Sequence, residues 1–416
     1  MATDNNNKIL NFSNKREQNE IHFDYAEREK IQGKNFLNVP NKGNVPRLRF
    51  VGYTDEWKNV KIADIATIVG GGTPDTTISE YWDGDIQWFT PSEIGKSKYI
   101  AKSDRTITNE GLINSSAKIL PKGTILLSTR ATIGECSIAN QECCTNQGFQ
   151  SIIAKNNTTN EFQYYLIQTK KKDLIRNACG STFLEISANE VRKIRCNIPN
   201  IEEQRKIADF LSLLDNRIET QNKIIEDLKK LKVAIRDKQL NIIRKQYGLN
   251  TQVLELLDYE QPTKYIVSNT EYLDDDNLIP VLTANKAFIL GYTDEPFGIY
   301  DKGQCIILDD FTLDCKLVNF AFKIKSSAIK ILTPKNGISL RYVYEYLNHM
   351  DLETTEHKRH YISEIEPMLI AYPESNIVIN SFCDLMEIYD KKIEIENKYL
   401  QSLLSQKSYL LRNMFI

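Results

Sequence analysis

Histidine is nearly absent from this sequence, with four in 416 residues. A chain so poor in imidazole has little material for a histidine metal centre or a general-base relay. The one close pair, in His357-Lys358-Arg359-His360, lacks the His-Glu-x-x-His spacing of a zinc protease. The eight cysteines form no Cys-x-x-Cys, and only Cys143 and Cys144 are adjacent. This argues against a zinc ribbon and for reduced, buried thiols. No Pro-Pro occurs, so the Asn/Asp-Pro-Pro-aromatic motif of amino-methyltransferases is missing. The nucleotide-binding Gly-Lys-Ser/Thr and Gly-x-Gly-x-x-Gly patterns and the Gly-x-Ser-x-Gly elbow are missing too. Asp309-Asp310 and Asp314-Cys315-Lys316 read as short acidic loops rather than a nuclease cluster. No apolar run approaches the ~18 residues of a membrane span, and the polar Met1 to Asn7 leads into no signal-peptide core. A cytoplasmic binding protein is expected, not an enzyme, with no metal, no cofactor of its own and no membrane contact.

What is present is a long amphipathic segment. After Pro199-Asn200-Ile201-Glu202-Glu203-Gln204 the chain runs without Pro or Gly until Gly248. Asn200 suits a helix cap, and Glu203 suits the return bond of a capping box. Phe210, Leu214, Ile218, Ile225, Leu228, Ile235 and Ile242 recur at three- and four-residue steps, and charged residues fill most of the other faces. The pattern predicts a helix with a near-heptad seam, roughly 60 Å long.

The segment has a twin. Asp215-Asn216-Arg217-Ile218-Glu219 aligns with Asp390-Lys391-Lys392-Ile393-Glu394. At that offset the seam meets Leu385, Tyr389, Ile393, Leu400, Leu403 and Leu410. Earlier landmarks also recur. Pro121-Lys122-Gly123 before a β-like run matches Asp301-Lys302-Gly303 before another, and Ile86–Thr90 matches Ile279–Thr283. A repeat on this scale outranks any local reading. The expected fold class is therefore α+β: two mixed α/β domains, each followed by a long helix. The helices form an antiparallel coiled coil with pseudo-two-fold repeat symmetry. The expected boundaries are a flexible lead over 1–45 with a short helix around Tyr25–Ile31, a first domain over 46–199 and its helix over 200–248. A second domain over 249–374 and its helix over 375–416 follow. The alternative is that each helix packs on its own domain as an ordinary core helix.

Two like domains on a rigid spacer suit a bipartite target such as duplex DNA, which repeats about every 34 Å. Base edges are matched by Arg, Lys, Asn, Gln, Ser and Thr. The first domain offers Gly72 and Thr73 in a flexible glycine loop, then Ser128, Thr129, Arg130, Gln147, Ser181 and Thr182. Lys171 and Arg176 are candidates for phosphate contact. The second domain offers Asn285, Lys286, Thr312, His357, Arg359 and His360. Arg130 is the favoured base reader. Against DNA binding by the second half stands its charge, about −9 over residues 251–375 within a chain of formal charge −2, because nucleic-acid binders usually carry a basic excess. A coiled-coil scaffold that touches no DNA is the competing expectation.

The pattern resembles the specificity (S) subunit of type I restriction–modification enzymes. The resemblance is carried by Val45-Pro46-Arg47-Leu48-Arg49-Phe50, Asp55-Glu56-Trp57, Thr124 to Gly134, Asn146-Gln147-Gly148-Phe149 and, most specifically, Ile198 to Ala208 running into Leu214-Asp215. It implies two target-recognition domains, each reading one half of a split site in double-stranded DNA. It also implies a helix pair that sets the gap and docks two methyltransferase (M) subunits, with restriction (R) subunits joining in the full complex. S-adenosylmethionine, ATP and Mg would belong to those partner subunits. The second junction, Pro373-Glu374-Ser375-Asn376-Ile377-Val378, departs from the pattern by lacking Glu-Gln.

Overall fold

A computed structural model describes the backbone of Phe36–Asn38 and residues 43–180, 184–283, 288–350 and 359–416. The short helix expected around Tyr25–Ile31 and most of the 1–45 lead lie outside the described residues. The chain divides into two compact units: the residues up to Thr220 together with Leu400–Ile416, and Gln221–Tyr399.

In the first unit a five-stranded sheet runs in the order Ala66–Gly70, Gln150–Ala154, Ile125–Leu127, Cys136–Ala139, Tyr99–Ile100. Pairing is antiparallel except at the last strand. A three-stranded sheet holds Trp82–Phe89 between Cys143–Thr145, parallel, and Arg105–Ile107, antiparallel. Lys58–Lys61 pairs with Arg195–Ile198, just ahead of the first long helix. The strand Ile125–Leu127 is buried on both faces, which is why it reads as a continuous apolar run rather than an alternating one. Gly123 takes a left-handed φ of 88° at the turn before it, a conformation that glycine adopts without steric cost.

The second unit repeats this plan. Its larger sheet runs Leu257–Glu260, Ile329–Pro334, Cys305–Asp309, Cys315–Val318. Its three-stranded sheet holds Ile279–Leu282 between Lys323–Ile324, parallel, and Ile289–Thr293, antiparallel. Thr251–Gln252 pairs with Leu369–Ile370, and the second long helix follows. Strand order and sense match those of the first unit, edge strand Tyr99–Ile100 aside.

The long helices span Ile201–Tyr247 and Asn376–Met414, 47 and 39 residues. Asn200 caps the first through Oδ1, which accepts from the Glu203 N–H at 2.9 Å. Glu203 does not complete a capping box. Its carboxylate takes both Arg49 Nε and Nη2 at 2.7 Å, and both side chains are buried. Gln204 is also buried; its amide donates to the carbonyls of Pro199 and Asn157 and accepts from Thr159 N–H. The Glu-Gln pair thus fastens the helix start to Arg49 on one side and to the loop before helix Asn160–Thr169 on the other.

Seam burial follows the expected periodicity with one phase change. Leu214 and Ile225 are buried, but Ile242 is exposed and its place is taken by Leu240 and Ile243. Those two pack in the core of the second unit with Tyr342, Ile379 and Phe382. On the second helix Leu403 and Leu410 are buried; Phe210, Ile218, Leu228, Ile235, Leu385, Tyr389, Ile393 and Leu400 are half-buried. In the first unit Lys407 Nζ stands 2.7 Å from Asp215 Oδ1, and Phe415 stacks on Phe162 and meets the edge of Trp57. In the second unit Lys232 Nζ stands 2.7 Å from Asp390 Oδ1, and Gln221 donates to Glu396 Oε2 at 2.7 Å.

Candidate nucleic-acid interface

In the first unit several of the expected contact residues meet at one end of the larger sheet. Strand Ile125–Leu127 leaves the sheet into a loop closed by Ser128 N–H to the Glu135 carbonyl at 2.9 Å. Thr129 N–H bonds the Gly148 carbonyl, and Ile186 N–H bonds the Thr129 carbonyl. The loop is therefore held between the segments around Asn146–Phe149 and Cys179–Ile186. Ala131, with φ of 53°, turns the tip back. Arg130 is exposed at that tip, and its Nε and Nη2 hold Glu185 Oε2 at 2.8 and 2.7 Å. Gln147 is exposed as well, and its Oε1 accepts from Thr73 at 2.5 Å. Lys171 reaches the same loop through Glu135, also at 2.5 Å.

Ser128 and Thr129 differ from the expectation that they face outward. Both are fully buried, and their hydroxyls donate to the Arg130 and Gly148 carbonyls. They shape the loop and leave its tip to Arg130. The glycine run is not slack either. A Cβ on Gly72 would lie 2.3 Å from the Ser116 backbone, and its carbonyl accepts from Trp88 Nε1 at 2.9 Å. Gly72 therefore serves close packing, and Thr73 is the residue it presents. Arg176 stands apart from the cluster, paired with Asp173 at 3.4 Å. Ser181 and Thr182 lie outside the described residues.

The second unit builds the same loop with other side chains. Asp309 N–H bonds the Asp314 carbonyl, Asp310 N–H the Ala328 carbonyl, and His360 N–H the Asp310 carbonyl. These three bonds match those of Ser128, Thr129 and Ile186, so Phe311 occupies the position of Arg130. Asp310 is buried against Lys330 at 3.2 Å and accepts from the N–H groups of His360 and Tyr361. His360 is buried and Arg359 exposed. Thr312 is exposed at the tip, tied to Asp309 and Asp314. Asn285, Lys286 and His357 lie outside the described residues. Glu185 and Phe311 were not singled out from the sequence, and Asp310 was read there only as part of a short acidic loop; aligning the repeats on their strand ends rather than on their helices exposes the role of all three.

Among the described residues no group of three or more His, Cys, Asp or Glu is arranged to hold a metal ion, and no helix is long and apolar enough to cross a membrane. Burial pushes the Cys136 and Cys143 thiols up to about 12, so neither is a ready nucleophile.

Comparison with known proteins agrees with this geometry. Residues 54–230 match the family model of the type I restriction modification DNA specificity domain. The type I restriction enzyme MjaIX specificity subunit of Methanocaldococcus jannaschii is 41% identical over 187 residues, 43% of each chain. The EcoR124I/EcoR124II specificity subunit of Escherichia coli is 46% identical over 148 residues, 33% of this chain and 36% of that one. These matches span less than half the length of either relative. Among solved structures, the S subunit of a type I restriction–modification system from M. genitalium superposes with a TM-score of 0.53 at 17% identity, covering 89% of this chain and 99% of that one. A chain from a structural study of assembly and conformational transition in the type I system gives 0.55 at 15% identity, covering 85% and 96%. At such identities the likeness is one of fold. The specificity-domain match thus runs across the Arg130 loop and into the first long helix, and over that part the chain is similar to type I restriction–modification specificity subunits.

Proposed function

We propose that this chain is the DNA sequence-recognition subunit of a type I restriction–modification complex and reads a bipartite site, one domain per half. The observation that carries the reading is the doubled sheet plan, each copy followed by a long helix. The domains are those bounded at 46–199 and 249–374. The first half-site is read by the Arg130 tip with Thr73, Gln147, Ser181 and Thr182, and Lys171 and Arg176 serve the phosphates. The second is read by Asn285, Lys286, Thr312, His357 and Arg359, while His360, expected from the sequence to contact DNA, is buried and shapes the loop instead.

The helices act as an antiparallel coiled coil about a pseudo-two-fold. Support comes from the contacts inside each unit. An offset of 175, the separation of Gln221 and Glu396, turns Asp215 into Asp390 and Lys232 into Lys407. The two ion pairs thus exchange under the repeat, as a two-fold requires. The charged outer faces dock two M subunits, and R subunits join through them. The chain itself is non-catalytic and works in the cytoplasm. S-adenosylmethionine, ATP and Mg act in the partners, and adenine is flipped out for methylation there.

The charge of about −9 over 251–375 favours a second reading, a scaffold that touches no DNA. Co-expression with an Asn-Pro-Pro-aromatic methyltransferase partner, followed by mapping of N6-methyladenine, decides between them. The recognition reading expects a split motif with one fixed spacer. A continuous short motif, or no methylation, overturns it.

A further inference from the structure

The second unit ties three helices together through one knot of charges. Glu345, on the domain helix Leu340–His349, is buried. It accepts from Arg341 at 2.6 Å and from Lys232 of the first long helix at 3.2 Å. Asp390 of the second long helix binds the same two cations, Lys232 at 2.7 Å and Arg341 in a short contact. Farther along, His349 Nδ1 lies 2.8 Å from Asp237 Oδ1, which Arg236 also holds at 3.0 Å. The lysine, the arginine and both carboxylates are matched only when domain helix, first long helix and second long helix are all in place.

The first unit has the same three-way joint with different chemistry. Its domain helix, Asn160–Thr169, is also ten residues long and also capped by a hydroxyl, Thr159 for Ser339. Tyr165 stands where Glu345 stands, and its hydroxyl donates to Asp215 at 2.6 Å. Lys407 completes the contact at 2.7 Å, and Lys98 donates to Ser212 at 2.5 Å. One joint is a phenol on a single ion pair; the other is a network of ions.

We propose that the Lys232–Arg341–Glu345–Asp390 network is an orienting clamp for the second recognition domain, and that Glu345 and Arg341 are positioning residues for the spacing between the two half-sites. The network is anchored on buried Glu345, with Lys232 and Arg341 partly covered and Asp390 at its open edge; such a cluster adds little net stability over an apolar contact but confines geometry, because a displaced partner leaves the buried Glu345 charge unmatched. The inference rests on the bipartite-recognition reading above, and its test separates the two.

The full-length chain is compared with Glu345→Gln and Arg341→Lys, with Tyr165→Phe as the control in the first unit. Hydrogen exchange needs no DNA. Glu345→Gln is expected to speed exchange of the amides in 340–349 about tenfold, the scale of one lost charge-assisted bond. Strands Cys305–Asp309 and Ile329–Pro334 are expected to stay protected. Uniform acceleration through the second unit, or none, overturns the clamp. Should Glu345→Gln fail to fold, Arg341→Lys, which keeps the charge but loses the fork, carries the same test. Methylation mapping with the M partner then reads the consequence. Both half-site sequences are expected to persist while the single spacer spreads to a neighbouring value, and Tyr165→Phe, which leaves the Lys407–Asp215 pair in place, keeps the wild-type spacer; an equal spread in Tyr165→Phe overturns the special role of the ion network. Loss of one half-site sequence in Glu345→Gln overturns the positioning role. A wild-type chain that methylates no split motif overturns the recognition reading and leaves the exchange result to judge the clamp.

Discussion

Gln221 and Glu396 are partners across the helix seam, and they are also each other's counterparts in the repeat. The Gln221 amide donates to the Glu396 carboxylate at 2.7 Å and to its backbone carbonyl at 3.0 Å, and Gln221 is buried. Gln221→Leu removes the shorter of the two contacts to the Glu396 carboxylate, leaving only Lys392 at 3.2 Å, and is expected to lower stability by ~1–2 kcal/mol. Gln221→Leu with Glu396→Leu is expected to recover most of that. Urea unfolding of the full chain measures both, and equal midpoints for single and double variants would contradict the pairing.

The same pair predicts a pH effect. The Gln221 hydrogen bond, outweighing partial burial, holds the Glu396 carboxyl below its usual range, with help from Lys392. A depressed carboxyl stabilises the fold above its unfolded pKa, and that stability disappears as pH falls through the folded value. Between neutral pH and the low end of the carboxylate range, Gln221→Leu should therefore lose less stability than wild type. Chemical melts at stepped pH read the difference in slope. Identical slopes would mean that Glu396 does not sense Gln221.

Arg49 and Glu203 form a bidentate pair with both side chains buried. Removing one partner leaves an uncompensated buried charge, so Glu203→Gln is expected to cost ~3 kcal/mol or more. Arg49→Leu with Glu203→Leu is expected to regain much of it. Thermal melting of the three proteins checks this, and a Glu203→Gln midpoint equal to wild type would refute it.

Arg130 is the exposed cation at the loop tip, and Glu185 restrains it at 2.7 Å. Arg130→Ala is expected to weaken the cognate complex by ~1–3 kcal/mol and to relax one half of the methylated motif only. Glu185→Gln releases the guanidinium, so affinity should rise at low salt and the salt slope steepen by about one. Anisotropy titrations of the complex with its M partner across NaCl concentrations measure both. If Arg130→Ala changes assembly with M but neither half of the motif, the residue is structural.

Phe415 packs on Phe162 and Trp57 at centroid distances of 5.3 and 6.2 Å. Phe415→Ala opens a cavity in that core and is expected to cost ~3–5 kcal/mol. Tryptophan fluorescence during unfolding reports it, and an unchanged midpoint would show that the aromatic contact contributes nothing.

The elements that the sequence revealed are those with local causes. Absence of Pro and Gly with a heptad seam marks the helix Ile201–Tyr247, and Pro121-Lys122-Gly123 marks the turn into Ile125–Leu127. The features that stayed hidden depend on distant partners. Nothing near Glu203 announces Arg49, and nothing near Arg130 announces Glu185. Ser128 and Thr129 look like surface hydroxyls because their type favours loops, yet the loop closes over them and their hydroxyls satisfy its own carbonyls. Ile242 fits the step pattern, but the seam phase drifts along so long a helix and selects Leu240 and Ile243. Phe311 was masked because the helices repeat at one offset and the strand ends at a slightly longer one.

The aromatic contact between Trp57 and Phe415 also bears on synthesis. The first unit receives Phe415 about 360 residues after Trp57, so that contact forms only once the segment between them has been made. The domain begun first is thus among the last to close. Until then the Trp57 indole has Phe162 but not Phe415 against it. A ribosome-stalled chain ending before Leu400 should show a quencher-accessible Trp57 that the released protein does not.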